Sequence, residues 1–399
     1  MAEFLGKAKY IVLGMIMNLC LGAVYSWSIF RKPVETGFPG TNSFESGLPY
    51  MLFLFFYAFS MPVGGKIIDR FGPRAAALIG SFVVSAGWFA AGFSQNIFHL
   101  MISYGVIGGI GVGIIYGVPM SVAGKWFPEK KGLAVGVALA GFGLSPFITA
   151  PISKMLITNY GVLSAFKILG ISFFIVLSLF SLFMKYPAET VSENGTVSTL
   201  ELPWQNMIKK GSFYLLWFLF LFGTFTGLMI IGISGPFGEE VIGISSYAAP
   251  FFVSLFAVFN GIGRPVYGYL TDHFGTRFSA IMIFSLNMFA ALLILLAANS
   301  TKDFKIAAYA VSFSIFWSSF GGWLAVAPAS TAKLFGKKNY VKNYGFVFTA
   351  YGIGAIFGGI ISGEAKVVFG SYIYIFYPVV LISFIGIVLT LLFLRKPKV

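Results

Sequence analysis

Apolar runs of eighteen or more residues recur along this chain from one end to the other. A run of that length crosses the hydrocarbon core of a bilayer as a helix, because a helix satisfies its own backbone N–H and C=O groups where water is absent. Twelve spans are predicted, at roughly 9–31, 47–69, 76–95, 98–124, 132–158, 162–185, 212–237, 246–271, 278–299, 305–332, 343–364 and 371–394. The expected fold class is therefore an all-α membrane protein. Composition agrees: 58% of the 399 residues are hydrophobic and 10% charged, against about 25% charged in ordinary globular domains. The first run carries no signal-peptide cleavage pattern and is expected to stay as a helix.

An even number of spans puts both termini on one face. Nineteen of the 27 lysines and arginines then fall on that face, seven on the other, Arg31 and Lys32 among them, and Arg264 falls inside a span. The positive-inside rule makes the richer face cytoplasmic. The chain is thus expected in the cell (inner) membrane, in contact with the lipid bilayer. The same rule accounts for the net charge of +14 without a nucleic-acid partner. The single cysteine, Cys20, excludes an intrachain disulfide, and both histidines lie at helix ends. No metal, cofactor or nucleophile–base constellation appears, so no enzyme is expected.

The longest polar stretch, 186–211, reads as a cytoplasmic linker between an N-terminal six-helix bundle, 1–185, and a C-terminal one, 212–399. Trp204, Lys209 and Lys210 predict a short interfacial helix within it. The halves repeat each other. MPVGGKIIDRFGPR (61–74) and RPVYGYLTDHFGTR (264–277) match at seven of fourteen positions, 203 residues apart. GVALAGFGLSPFITAPIS (136–153) and GFVFTAYGIGAIFGGIIS (345–362) align 209 residues apart, as do Pro119 and Pro328. Two such halves imply pseudo-symmetric bundles with a binding site between them. The first motif supplies a candidate conformational latch: Gly65, Asp69, Arg70, Gly72 and Arg74, echoed by Asp272, Gly275 and Arg277. In it a carboxylate at a helix end accepts charge-assisted hydrogen bonds and docks on a neighbouring helix N-terminus.

Where the second copy of that motif opens with Arg264, the first has Met61. Packing of the scaffold therefore does not require an arginine there. An ionisable group inside a span costs roughly 2.5–3.5 kcal/mol on insertion scales and marks a functional cavity. Asn260, one turn away, is neutral, and no acid is predicted deep in a span. The counter-charge is then expected from a small organic monoanion, held by the guanidinium fork; the alternative is an arginine paired with backbone carbonyls at a helix break or snorkelling to the inner surface. Aromatic candidates for the cavity wall are Tyr25, Tyr116, Phe142, Phe316, Phe320, Phe348 and Tyr351.

The G-x-x-x-D-R-F-G-x-R run resembles the loop signature of the major facilitator superfamily. The stretches LGAVYSWSIFRKP, KWFPEKKGLAVGVALAGFG, FNGIGRP and YGFVFTAYGIGAIFGG resemble the oxalate/formate antiporter family, related to the monocarboxylate porters. The resemblance implies the major facilitator fold, a monomeric transporter, Arg264 as the substrate-binding arginine, and Tyr116, Phe316, Phe320 and Phe348 as cage positions. Oxalate exchangers carry a lysine where FTAY places Tyr351. Its loss leaves charge balance only for a monoanion, and lactate-like monocarboxylates are expected. Many monocarboxylate porters place an aspartate where Asn260 stands. Proton symport is expected from the resemblance, with anion exchange and uniport as alternatives. Rivals are a drug exporter, which would need a buried carboxylate, and a carboxylate-binding membrane sensor.

Overall fold

The computed structural model describes residues 2–128, 131–187, 201–336 and 339–393. Regular structure among them is entirely helical. Among the described residues, ten helices are long and apolar enough to cross a membrane. The first comprises α1 (Ala2–Leu21) and α2 (Trp27–Gly37), joined by a 3₁₀ turn at Gly22–Ser26. The second is α3 (Leu48–Ala91). The third runs through α4 (Ile97–Leu100), a π-helical stretch, α5 (Gly109–Ile115) and α6 (Gly117–Trp126). Then come α7 (Lys131–Tyr160) and α8 (Val162–Ser181). After the short α9 (Trp204–Met207) follow α10 (Gly211–Phe237), α11 (Ala249–Ala297), α12 (Lys302–Phe335), α13 (Tyr340–Phe369) and α14 (Phe376–Phe393).

Two of these helices are too long for a single crossing. At 1.5 Å per residue, α3 would extend about 66 Å and α11 about 74 Å, against a hydrocarbon core of about 30 Å. Each leaves helical geometry at one residue, Gly72 (φ 79°, ψ 170°) and Gly275 (φ 83°, ψ 165°). Only glycine adopts that region at low cost. Both helices fold back there. Gly64 and Gly80 flank Gly72, yet both abut α5: a Cβ on them would lie 2.8 Å from Ile114 Cα and 2.6 Å from Ile115 Cβ. Phe53 and Trp88 likewise both reach the Tyr104 ring, at 4.9 and 5.0 Å. In α11, Tyr267 and Phe284 meet adjacent positions of α12. A Cβ on Gly322 would lie 2.7 Å from Tyr267 Cγ, and the Phe284 and Trp323 rings are 5.4 Å apart.

The bend glycines are the ones shared by the repeated motif, and the motif's arginines have matching work. Arg74 donates from Nε at 2.7 Å, and from Nη2, to the Leu182 carbonyl beyond α8. Arg277 Nη2 donates to Leu391 O at 3.0 Å in the last turn of α14. Both cap helix C-termini, whose carbonyls lack intrahelical donors. Asp272 pairs with Lys333 at 3.5 Å, and Lys333 also donates to Thr271 O at 2.8 Å. Asp69 and Arg70 are exposed, and Gly65 is half-buried.

The interfacial helix expected at Trp204 is α9, with Trp204 stacked on Phe346 at 4.6 Å. Leu202 ties it to α12 and α13, donating to Phe335 O and accepting from Asn343 Nδ2. Residues 188–200 of the polar stretch lie outside the described residues.

Arg31, which the sequence places with the outer-face charges, is buried, at 2% exposure. Its Nη2 donates to Ser43 O at 2.7 Å, its Nη1 to Gly232 O at 3.4 Å, and its guanidinium lies 5.3 Å from the Tyr372 ring centre. The reason is local. Pro236 has no N–H to give the carbonyl four residues back, so Gly232 O is left open within α10, and Arg31 fills it.

Candidate functional site

Arg264 and Asn260 sit on the first arm of α11, where that arm crosses α12 and α7. The crossing is close because glycines allow it: a Cβ on Gly263 would strike Ser318 O, and one on Gly321 would strike Asn260 O. On the α7 side Gly143 has the same role. A Cβ there would collide with Asn260 Oδ1 and press on Arg264 Nε at 3.1 Å. Both polar side chains are thereby enclosed, Arg264 at 4% exposure and Asn260 at 0%.

Arg264 Nη1 donates to Leu139 O of α7 at 2.7 Å. Its Nε and Nη2, and both Nδ2 and Oδ1 of Asn260, are buried with no hydrogen-bond partner. Among the described residues, none of the ion pairs includes Arg264. The buried polar and charged side chains among them include Arg31 and Arg264 but no aspartate or glutamate. An unsatisfied buried donor costs about 1–3 kcal/mol, more when charged, and buried polar groups in proteins are normally paired. Four of the buried unpaired polar atoms thus stand together at Asn260 and Arg264. Nε and Nη2 lie on the same edge of the guanidinium. Their N–H bonds point the same way, which is the side-on fork that receives two oxygens of one carboxylate.

The predicted aromatic residues form one cluster with one another, with one exception. Tyr25 packs edge-on against Phe142 at 5.0 Å and Phe320 at 5.6 Å. Its hydroxyl shares a 2.9 Å hydrogen bond with that of Tyr351. Phe348 stacks on Tyr351 at 4.7 Å, and Tyr116 meets Phe142 at 5.5 Å. Phe316 lies apart, its ring neighbours being Phe313 and Phe376. The 3₁₀ turn at Gly22–Ser26 brings Tyr25 into the cluster; a Cβ on Gly22 would lie 2.7 Å from Ser145 Cβ.

Sequence reasoning missed Tyr57, the ring at the centre of this cluster. It contacts Tyr116, Phe142, Phe348 and Tyr351 at 5.2–5.9 Å. The signal was present: residue 57 plus the 203-residue repeat offset is 260, so Tyr57 is the counterpart of Asn260. Gly143 was missed as well, although its counterpart at the second offset, Gly352, packs on Ala58 in the same manner. The Leu139 carbonyl has no side-chain signature and could not have been found.

Helices folded back at repeated glycine bends, around an enclosed arginine and tyrosine cluster, define a membrane transporter rather than an enzyme. The family model described as Major Facilitator Superfamily matches residues 11–331, and the chain belongs to that superfamily. It is 31% identical over 364 residues to the oxalate:formate antiporter of Oxalobacter formigenes, covering 90% of this chain and 85% of that one. It is 27% identical over 347 residues to the uncharacterized MFS-type transporter YhjX of Escherichia coli, covering 86% and 84%. It is 24% identical over 339 residues to monocarboxylate transporter 12 of Xenopus laevis, covering 78% and 72%. The protein is thus a multi-pass secondary transporter embedded in lipid.

Proposed function

We propose that this protein carries small lactate-like monocarboxylates across the inner membrane by alternating access. The folded-back α3 and α11 each count as two crossings. That gives twelve in all, in bundles 1–185 and 212–399, with both termini cytoplasmic. One observation carries the proposal: the buried, unpaired Nε–Nη2 edge of Arg264, with no carboxylate among the described residues to meet it. The substrate carboxylate takes that edge. Asn260, with donor and acceptor both open, takes a second polar group. The Tyr25, Tyr57, Phe142, Phe320, Phe348 and Tyr351 rings enclose a short apolar tail. An empty site leaves a bare cation, which disfavours closure; a bound carboxylate removes that penalty and lets the bundles close and rock.

Proton symport is the first reading of the coupling, by likeness to monocarboxylate porters. Anion exchange is the second. It is favoured by the 31% identity to an oxalate:formate antiporter and by the lack of a buried aspartate or glutamate among the described residues to carry a proton.

Uptake of labelled monocarboxylates into proteoliposomes tests the proposal. Arg264→Met is expected to abolish uptake. Arg264→Lys, a point charge without the fork, is expected to lower it by about 100-fold, equivalent to about 2.8 kcal/mol. Full uptake by the Met variant at normal membrane abundance would overturn the role of Arg264. Acidification of the lumen with uptake marks symport; dependence on a preloaded anion marks exchange.

A further inference from the structure

Apart from the Arg264 site, a crevice of about 750 Å³ opens on the outer surface of the bundle between α1, the segment after the Gly72 bend, and the end of α8. Its lining is of two kinds. Lys9, Arg74 and Lys185 are cationic, and no acid is among the described lining residues. Val12, Ile16 and Phe183 are apolar, with Val12 54% and Phe183 55% exposed to the surroundings of the bundle. Lys9 lies in the first half of α1, Arg74 just after the bend at Gly72 and Lys185 just after α8 beside Phe183, while Val12 and Ile16 continue along α1. From Lys9 to Ile16 is about 10 Å of helix.

Aromatic residues mark the cationic rim as a membrane boundary. Tyr10 stacks on Trp126 at 4.3 Å, and the Trp126 indole donates to the Lys185 carbonyl at 2.8 Å. Tyrosine and tryptophan concentrate at the headgroup level, where one edge is wet and the other apolar. The crevice therefore has a charged end at the interface and a greasy end reaching into hydrocarbon. A soluble anion fits the first end and leaves the second bare. An acyl chain alone fits the second and leaves the three cations without an anion.

The geometry points to a binding site for an anionic phospholipid of the adjacent leaflet, its phosphate among Lys9, Arg74 and Lys185 and one acyl chain along Val12 and Ile16. Charge complementarity selects an anionic headgroup over a zwitterionic one. The site borders the Arg74 cap on Leu182 O, so an occupied crevice braces the bend at Gly72 against the end of α8.

The test is lipid-dependent thermal stability of the full-length protein in detergent. Phosphatidylglycerol is compared with phosphatidylcholine and with inorganic phosphate, on wild type and on the Lys9→Gln/Lys185→Gln double variant. Ligand that binds only the folded protein raises Tm. Phosphatidylglycerol is expected to raise Tm where phosphatidylcholine and free phosphate do not. The lipid concentration for the half-maximal shift is expected to rise about 25-fold in the double variant, at about fivefold per charge. Val12→Trp keeps every cation and fills the apolar end; it is expected to weaken the shift while leaving Tm in phosphatidylcholine unchanged. An equal shift in wild type and both variants overturns the site. So does the absence of a phosphatidylglycerol-specific shift in wild type. A shift reproduced by free phosphate overturns the lipid as occupant.

Discussion

At the scale of single residues, the decisive fact is how Arg264 divides its donors. One nitrogen is given to Leu139 O, which fixes the plane of the guanidinium, and the opposite edge is left open. A partly satisfied arginine is better suited to binding than a wholly free one, because its fork is already aimed. Gly143 keeps that edge accessible. Gly143→Ala is expected to push Asn260 and Arg264 aside, costing about 1–3 kcal/mol by overpacking, and to depress uptake more than membrane abundance. Uptake assayed beside thermal unfolding separates the two effects. Arg31 is the second buried guanidinium. Arg31→Met removes a charge that makes no ion pair among the described residues, although Glu35 one turn on accepts from Ser43, whose carbonyl Arg31 holds. Truncation of this kind can be neutral or stabilising when the replacement packs well. Unchanged or higher Tm with reduced transport is the expected outcome, and a large fall in Tm would show that Arg31 only holds the fold together.

At the scale of elements, glycine and proline decide the architecture. Gly72 and Gly275 convert two overlong helices into hairpins. Gly72→Ala is expected to cost about 1–3 kcal/mol, because alanine must enter a region of backbone space that is essentially reserved for glycine. Gly136 makes the control: a Cβ there meets nothing within 4 Å, so Gly136→Ala should be neutral or stabilising by up to about 1 kcal/mol. Denaturation midpoints of the two variants check both. The crossings were legible in the sequence because their cause, apolar length, is local. The repeated F-G-x-R reads as a latch, and its use for bends and helix-capping arginines comes only from the structure. The site was legible in outline for a different reason. A charge at Arg264 that its counterpart Met61 lacks cannot be scaffold. The burial of Arg31 was not legible, since its partner is a carbonyl vacated by Pro236, about two hundred residues away in the chain. Phe316 was grouped with Phe320 by helical spacing, which says that two side chains share a face but not which neighbours that face meets.

At the scale of the whole molecule, the segments before 187 and after 201 share polar contacts besides Arg264 with Leu139 O and Tyr25 with Tyr351. Arg31 reaches Gly232 O, Lys32 pairs with Glu239 at 3.4 Å, Tyr50 donates to Leu228 O, and Ser254 donates to Phe147 O. Two of the accepting carbonyls, Gly232 and Phe147, stand four residues before a proline, Pro236 and Pro151. Each lacks its ordinary helical donor and takes one from across the boundary instead. Parting the two segments at those points exposes peptide oxygens with no second partner in the protein, at about 1–3 kcal/mol each if nothing replaces the lost donor. Only water can take over, so hydration must accompany opening. Osmotic stress from large excluded polymers is therefore expected to slow transport by the wild type. Pro236→Ala, which restores an internal donor to Gly232, should blunt that brake.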